Sequence, residues 1–444
     1  MAQTGEAPPP LRIGFIGSGF IAKFHAKSFQ SVRHAQIVGV YSPTAAHRDA
    51  LAQQVNDAEL GPCTAHASLE SLLGDPDIDA IWLLAPNDRR LEVMRAINAA
   101  VKSGQSKVRA IACEKPLGRT LAEAREVLAL AEDAGLAHGY LENQVFSTAV
   151  ERGKEIVWRR AVPASARPYL ARAAEEHSGP HEPWFWQGAK QGGGVMSDMM
   201  CHSVEVGRFL LTEPGAPRDS LTVKSVQGSV ANLKWTQGRY AKALARDFKG
   251  VQMIRHPVED FARATVTLED ETGREVIVEA STSWAYVGPG LRIDLALLGP
   301  EYAMEFSSLN PSLKVFLSRA ITGGGGEDLV EKQNAEQGQM PIVEDEAGAY
   351  GYIGENRHMV DCFRHGRTPI ETFVDGVEVT KIVMGLYKSA ETGQVIAFPD
   401  GSLETYIPVP AREARVEDGP ARETRVEDGP AREARVEDGP AREG

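Results

Sequence analysis

Three stretches of this chain carry residue types whose spacing could do chemistry. Gly17-Ser18-Gly19-Phe20-Ile21-Ala22 reads G-x-G-x-x-A. In such a run the first glycine permits a tight turn and the second lets a diphosphate approach the backbone. The small Ala22 lets the next helix pack close to a strand. The N–H groups around Ser18, Gly19, Phe20 and Ile21 would face the diphosphate, with the helix dipole behind them. Further on, Asp198-x-x-x-His202 follows Gly193-Gly194 and sets a carboxylate and an imidazole on one face of a helix, with Glu205 a candidate to orient the imidazole. Taken alone, that pair is also the pattern of a surface ion pair. Two ligands without a third nearby make a poor metal site, and no metal is expected. The third stretch, Glu114-Lys115-Pro116, ends an apolar run with a lysine, which by itself also fits a solvated turn.

These residues need elements to hold them. Leu11, Ile13, Phe15 and Ile16 suit a buried strand before the glycine turn, and Phe20 to Gln30 a helix after it. Ala35 to Val40 reads as a second strand. It ends in Tyr41-Ser42-Pro43-Thr44, without the acid that usually receives the ribose of NAD. Ser42 could meet a ribose hydroxyl or a 2′-phosphate and Arg48 could neutralise the latter, so the cofactor is read as NAD or NADP. A helix follows over Ala45 to Val55, and another is capped by Ser68. Asp79 to Leu84 is a strand running into Ala85-Pro86-Asn87, a turn where open α/β sheets bind ligands. Leu91 to Ser103 is helical, Val108 to Cys113 is the strand before Lys115, and Thr120 caps a helix with Glu123 at the reciprocal position. The alternation continues to about residue 143 and specifies a doubly wound parallel sheet.

Beyond it the rhythm changes. Val145 to Arg160 and Val195 to Leu211 read as helices. Between them lies an aromatic, polar loop, His177 to Gly194, holding Trp184, Phe185 and Trp186. Aromatic faces stack on sugar rings, so Trp184 and Trp186 are candidate substrate contacts, with core packing the alternative. His177 and His181 are weaker candidates. From about 220 the chain alternates as antiparallel strands do, around an unplaced insertion at Ala231 to Arg255. Gly323 to Gly326 is a flexible break, and Tyr352 to His365 and Gly376 to Thr392 are amphipathic helices. The division expected is a flexible lead-in over 1–10, a dinucleotide domain over 11–143, a substrate domain over 144–409 and a tail over 410–444. The tail repeats PAREARVEDG with almost no apolar residue, so it cannot bury enough surface to order itself.

The 444 residues carry a net charge of −13, which argues against nucleic acid and anionic membrane as partners. The N-terminus lacks the basic and apolar regions of a signal peptide, and no run reaches the roughly 20 apolar residues of a membrane span. The four cysteines, Cys63, Cys113, Cys201 and Cys362, show no C-x-x-C and suit a reducing cytoplasm.

The glycine turn, Glu114-Lys115-Pro116 and Gly193-Gly194-x-x-x-Asp198-x-x-x-His202, in that order, resemble the Gfo/Idh/MocA family of NAD(P)-dependent sugar and inositol oxidoreductases. The resemblance extends to Ala85-Pro86-Asn87 and to Gly366-x-x-Pro369 with Asp375-Gly376. It implies a Rossmann domain followed by an α/β domain with an open, mainly antiparallel sheet, whose outer face often dimerises; a homodimer or homotetramer is expected. It also implies that Lys115 lies between nicotinamide and the substrate hydroxyl, that His202 is the acid/base, and that Asp198 orients substrate and imidazole. Glu114 and Asn143 would line the cofactor. Asp88-Arg89-Arg90 departs from the family pattern, which usually has a histidine there, and so does Glu142-Asn143-Gln144. Both departures bear on the substrate.

Oxidation of a secondary alcohol needs a hydride acceptor and a base. Histidine titrates near neutrality, and a cationic lysine stabilises a developing alkoxide. The expected function is therefore hydride transfer between nicotinamide and a secondary hydroxyl of a sugar, polyol or glycoside. The alternative within the family is a glycosidase that oxidises transiently, eliminates the aglycone and returns the hydride. A cofactor-bound sensor is the non-enzymatic reading, and intact Lys115, Asp198 and His202 oppose it.

Overall fold

The computed structural model describes residues 8–310, 313–317, 338–343 and 345–412. The repeat tail from 413 and the Gly323–Gly326 break lie outside the described residues, as does most of the lead-in.

Six short segments, most of them runs of buried apolar residues, form parallel strands: β1 (Leu11–Ile16), β2 (Ala35–Tyr41), β3 (Thr64–His66), β4 (Ala80–Leu83), β5 (Ala110–Glu114) and β6 (Ala137–Leu141). Between them run α1 (Phe20–Phe29), α2 (Ala45–Asp57), α3 (Leu69–Leu73), α4 (Asn87–Lys102) and α5 (Leu121–Asp133). The sheet order is β3-β2-β1-β4-β5-β6. Chain direction across the sheet reverses between β1 and β4, where such sheets open a crevice at their C-terminal edge. Ile16 is in register with Tyr41 on one side and Leu83 on the other, so the glycine turn emerges in that crevice.

Two local details differ from expectation. Helix α4 starts at Asn87, four residues before Leu91, because Pro86 sits just ahead of the first turn, where its missing N–H costs nothing. At α5 the Thr120 hydroxyl does accept the Glu123 N–H, but the Glu123 carboxylate takes the Arg119 N–H and guanidinium instead of closing the box. A closed capping box forms at Thr372–Asp375.

The second half contains α6 (Thr148–Ile156), β7 (Leu170–Glu176), α7 (Gly188–Gln191), α8 (Val195–Leu211), β8 (Leu221–Ala231), α9 (Gly238–Asp247), β9 (Phe261–Asp270), β10 (Glu275–Ser283), β11 (Arg292–Gly299) and β12 (Tyr302–Ser307). A ladder of β13 (Leu313–Leu317) with β14 (Gly338–Ile342) follows, then α10 (Glu346–Ala349), α11 (Tyr352–His365), α12 (Phe373–Thr392) and β15 (Ile396–Ala397). The second sheet runs β12-β11-β7-β10-β9-β8-β15, antiparallel except where β7 meets β10. Alternate residues of β9, β10 and β11 are buried on the face that carries the helices. There α8 packs on β7 and β10, and α12 on β8.

The 145–160 helix is shorter than expected. A 3-10 turn covers Asn143–Phe146, and the helix widens to a π turn at Val157–Ala161. Strand β7 was not anticipated at all. The 231–255 insertion now has a place: it holds α9, and the Asp260 carboxylate accepts the N–H groups of Leu233, Lys234 and Trp235.

Candidate active site

Gly17 has φ +124°, and a methyl group there would lie 2.5 Å from the Leu84 carbonyl oxygen. Only glycine fits between β1 and β4 at that point. A methyl on Gly19 would meet nothing within 4 Å. Helix α1 starts there without a side-chain cap, so its first N–H groups are presented to a cavity of about 840 Å³. A dinucleotide diphosphate fits this cradle: the donors are present and no Cβ obstructs them.

That cavity is lined by Gly17, Ser18, Gly19, Phe20, Ile21, Ser42, Ala85, Pro86, Asn87, Glu114, Lys115, Asn143, Trp184, Asp198 and His202. Residues read from distant stretches thus share one space. Two that were expected there do not line it. Arg48 directs its guanidinium to the Ser42 carbonyl and the Asp49 carboxylate, and the neighbouring His47 lines the cavity instead. Trp186 is 2% exposed, donates to the Pro180 carbonyl and packs edge-on against Trp235 and Trp284. Core packing claims it. His177 lines the cavity, whereas His181 packs near the Phe20 ring. No residue of 231–255 lines it: Trp235 bonds the Trp284 carbonyl, behind the site.

The candidate reactive groups sit on α8 and at the ends of β5 and β6. Every residue of α8 is buried. Its N-terminus is capped from outside: the Glu259 carboxylate accepts the N–H groups of Gly194 and Met196, and the Tyr387 hydroxyl accepts those of Gly194 and Ser197. A Cβ on Gly193 would collide with that hydroxyl, and one on Gly194 with Glu259. This is the physical reason for the paired glycines. Lys115 Nζ donates to Asp198 Oδ1 at 3.1 Å and to the Asp198 carbonyl at 3.0 Å. Trp284 Nε1 reaches Asp198 Oδ2 at 3.3 Å. Burial alone would lower the Lys115 pKa, but the surrounding negative groups, Asp198 foremost with Glu175 and Glu114 among the others, together outweigh it and hold the ammonium above its ordinary value.

His202 Nδ1 meets Glu142 Oε1 at 2.5 Å, and Glu142 Oε2 is buried with no partner among the described residues. This corrects two expectations. Asp198 pairs with Lys115 and not with the imidazole. Glu205 turns to Arg208 and Arg218. Burial pushes the His202 pKa down, and the carboxylates of Glu142 and Glu175 more than reverse that. Glu175 also lines the cavity, on the buried face of β7, with Gln144 donating to it.

Behind Lys115 lies a chain of hydrogen bonds that sequence reading missed. Trp82 Nε1 donates to Asn356 Oδ1, which leaves Asn356 Nδ2 to donate to His25 Nδ1. His25 must then carry its proton on Nε2, where it meets Glu114 Oε1 at 2.9 Å. Glu114 Oε2 accepts the Lys115 N–H. Glu114, expected beside the cofactor, therefore also fixes the backbone of the lysine.

Two family models match the chain. One, an oxidoreductase family with an NAD-binding Rossmann fold, matches residues 11–140. The other, the GFO/IDH/MocA C-terminal domain, matches residues 166–297. The 1,5-anhydro-D-fructose reductase of Ensifer adhaerens is 28% identical over 268 residues, 60% of this chain and 72% of the relative. The levoglucosan dehydrogenase of Pseudarthrobacter phenanthrenivorans is 26% identical over 209 residues, 46% of this chain and 52% of the relative. The chain thus aligns with about half the length of the second. Among solved structures, GenD2 from gentamicin A biosynthesis, in complex with NAD, superposes with a TM-score of 0.70 at 21% identity, covering 90% of this chain and 99% of that one. At that identity the likeness concerns the fold.

Proposed function

The chain belongs to the GFO/IDH/MocA oxidoreductase family, and on that footing we propose that it is an NAD-dependent dehydrogenase of a sugar or polyol. Residues 11–143 hold the cofactor and 144–409 the substrate. The observation that carries the reading is the meeting, in one cavity, of the glycine cradle with two preset pairs, Lys115–Asp198 and His202–Glu142. Bound NAD supplies the hydride acceptor, nicotinamide C4. His202 takes the hydroxyl proton on Nε2, the nitrogen that Glu142 leaves unbonded. Lys115 stays cationic and stabilises the alkoxide oxygen, and Asp198 fixes the ammonium in place. Arg48 is already engaged, so it offers no free cation to a 2′-phosphate, which favours NAD over NADP.

The names of the two relatives support sugars as the substrate class. The test is incubation with NAD or NADP and a panel of sugars, inositols and glycosides, following reduced-cofactor absorbance and product mass. Reduced cofactor accumulating with a keto product is the expected outcome. Released aglycone without net reduction would assign redox-neutral cleavage instead. Lys115→Ala and His202→Ala should each lose about 100-fold or more in turnover and keep NADH binding, read by fluorescence titration. Wild-type turnover in both variants would remove the assignment.

A further inference from the structure

On the dehydrogenase reading, the catalytic groups define the reacting alcohol and leave the rest of the substrate open. The charges around the cavity narrow it. Each lysine or arginine among its described lining residues is already engaged. Lys115 is paired with Asp198. Arg90 donates to the carbonyl oxygens of Ala85 and Pro116. Arg89 is paired with Asp88 and Glu92. None is left for a substrate carboxylate or phosphate.

The acids are placed differently. The inward face of β7 reads Ala171, Ala173, Glu175, a carboxylate where small apolar side chains precede it. Glu175 is 6% exposed, lines the cavity and takes one neutral hydrogen bond, from Gln144 at 2.9 Å. No described cation forms a salt bridge with it: Lys115 and His202 act on it through space, each being bonded to another carboxylate. A buried carboxylate without a direct cationic partner is costly, and burial raises its pKa more than those two charges lower it. At the mouth, Glu182 is exposed and also lines the cavity. Trp184 and Phe185 stack there with ring centroids 3.8 Å apart, offering a π face. A cation is attracted to such a face as well as to the acids.

We infer that the substrate is an amino sugar or amino polyol whose protonated amine pairs with Glu175, after entering past Glu182 and the Trp184–Phe185 stack. The amine takes no part in the redox step. It supplies the direct cationic partner that Glu175 lacks, and its charge-assisted hydrogen bond orients the ring.

The test uses the full chain loaded with NADH and matched ligands: D-glucosamine with D-glucose, an amino-inositol with myo-inositol, and D-glucuronate as the anion. Binding is read from NADH fluorescence. Each amine should bind about tenfold or more tightly than its neutral parent, and this advantage should fade as pH rises through the amine's own pKa. Glu175→Gln should erase the advantage, and Glu175→Asp should retain part of it, with melting midpoints showing that both variants fold. Equal binding of amine and parent, tighter binding of glucuronate, or an undiminished preference in Glu175→Gln would overturn the inference. Turnover with NAD on the same set separates the two readings. Neutral sugars oxidised without amine preference leave the dehydrogenase standing and remove the amine. Amine-selective binding with no turnover of any ligand does the reverse.

Discussion

At residue scale, the proposed proton transfer turns on the pair His202 with Glu142. Burial disfavours imidazolium, and the neighbouring carboxylates restore it, so the folded His202 titrates above its ordinary value. Oxidation needs the neutral ring, so its rate should climb as pH rises through that raised pKa. Glu142→Gln keeps the shape and removes a charge. The pKa then falls and the climb moves to lower pH, with a lower plateau because the ring is held less firmly. A kcat/KM profile against pH decides this, and an unmoved profile would show that Glu142 does not tune the ring. The sequence pointed to Lys115, Asp198 and His202 but gave the wrong partner to the imidazole. Helical spacing can nominate only neighbours on the same helix, such as Glu205. Glu142 lies 60 positions away, at the end of β6, and is brought to His202 by packing.

At the scale of elements, the glycine turn makes a contrast that one methyl group can expose. Gly17→Ala puts Cβ against the Leu84 carbonyl at a positive φ, so it should lower the melting midpoint as well as NADH affinity. Gly19→Ala adds its methyl to open space in the cradle. It should leave the midpoint within about 1–2 °C, since a surface change is worth little, and still weaken NADH binding, which titration calorimetry measures. Equal loss of stability in both would contradict this division. Readability followed the same physics. Helix α8 was found end to end because glycines precede it and apolar residues sustain its period. The parallel strands β1, β2, β4 and β5 were found because they are continuous apolar runs, whereas β3, the three residues Thr64–His66, carries no such run and was missed. Strand β7 escaped because LARAAEE has no β-branched or aromatic residue, and its alternation of small with charged residues carries no strand propensity. With it went Glu175.

At the scale of the whole molecule, the interior holds charges that serve no visible chemistry. Lys154 is buried, donates to the Phe209 carbonyl at 2.6 Å and lies over the Phe209 ring. Burial, helped by Arg218, pushes its pKa down to about 7. The unfolded chain would bind that proton up to a pKa of about 10.4. Between those values the unfolded state holds more protons, so this residue makes stability rise with pH, and below pH 7 its full cost is present. Lys154→Met should therefore flatten the rise. Its melting midpoint relative to wild type should be best near pH 6 and worsen toward pH 10. A constant offset across that range would mean that Lys154 stays protonated in the folded state throughout, as it is in the unfolded chain.

The hydrogen-bond chain behind Lys115 bears on how the protein is made. Asn356 lies 274 positions after Trp82, whose indole it receives, and it alone joins that indole to His25. On the ribosome, β5 and its lysine emerge long before α11. The nascent Rossmann sheet can form early, and Glu114 can already hold His25 Nε2, but His25 Nδ1 and the Trp82 indole stay unjoined until Asn356 has left the exit tunnel. The lysine's setting is thus completed only once α11 has emerged, and a chain stalled before it carries a folded cradle with this hydrogen-bond chain unjoined.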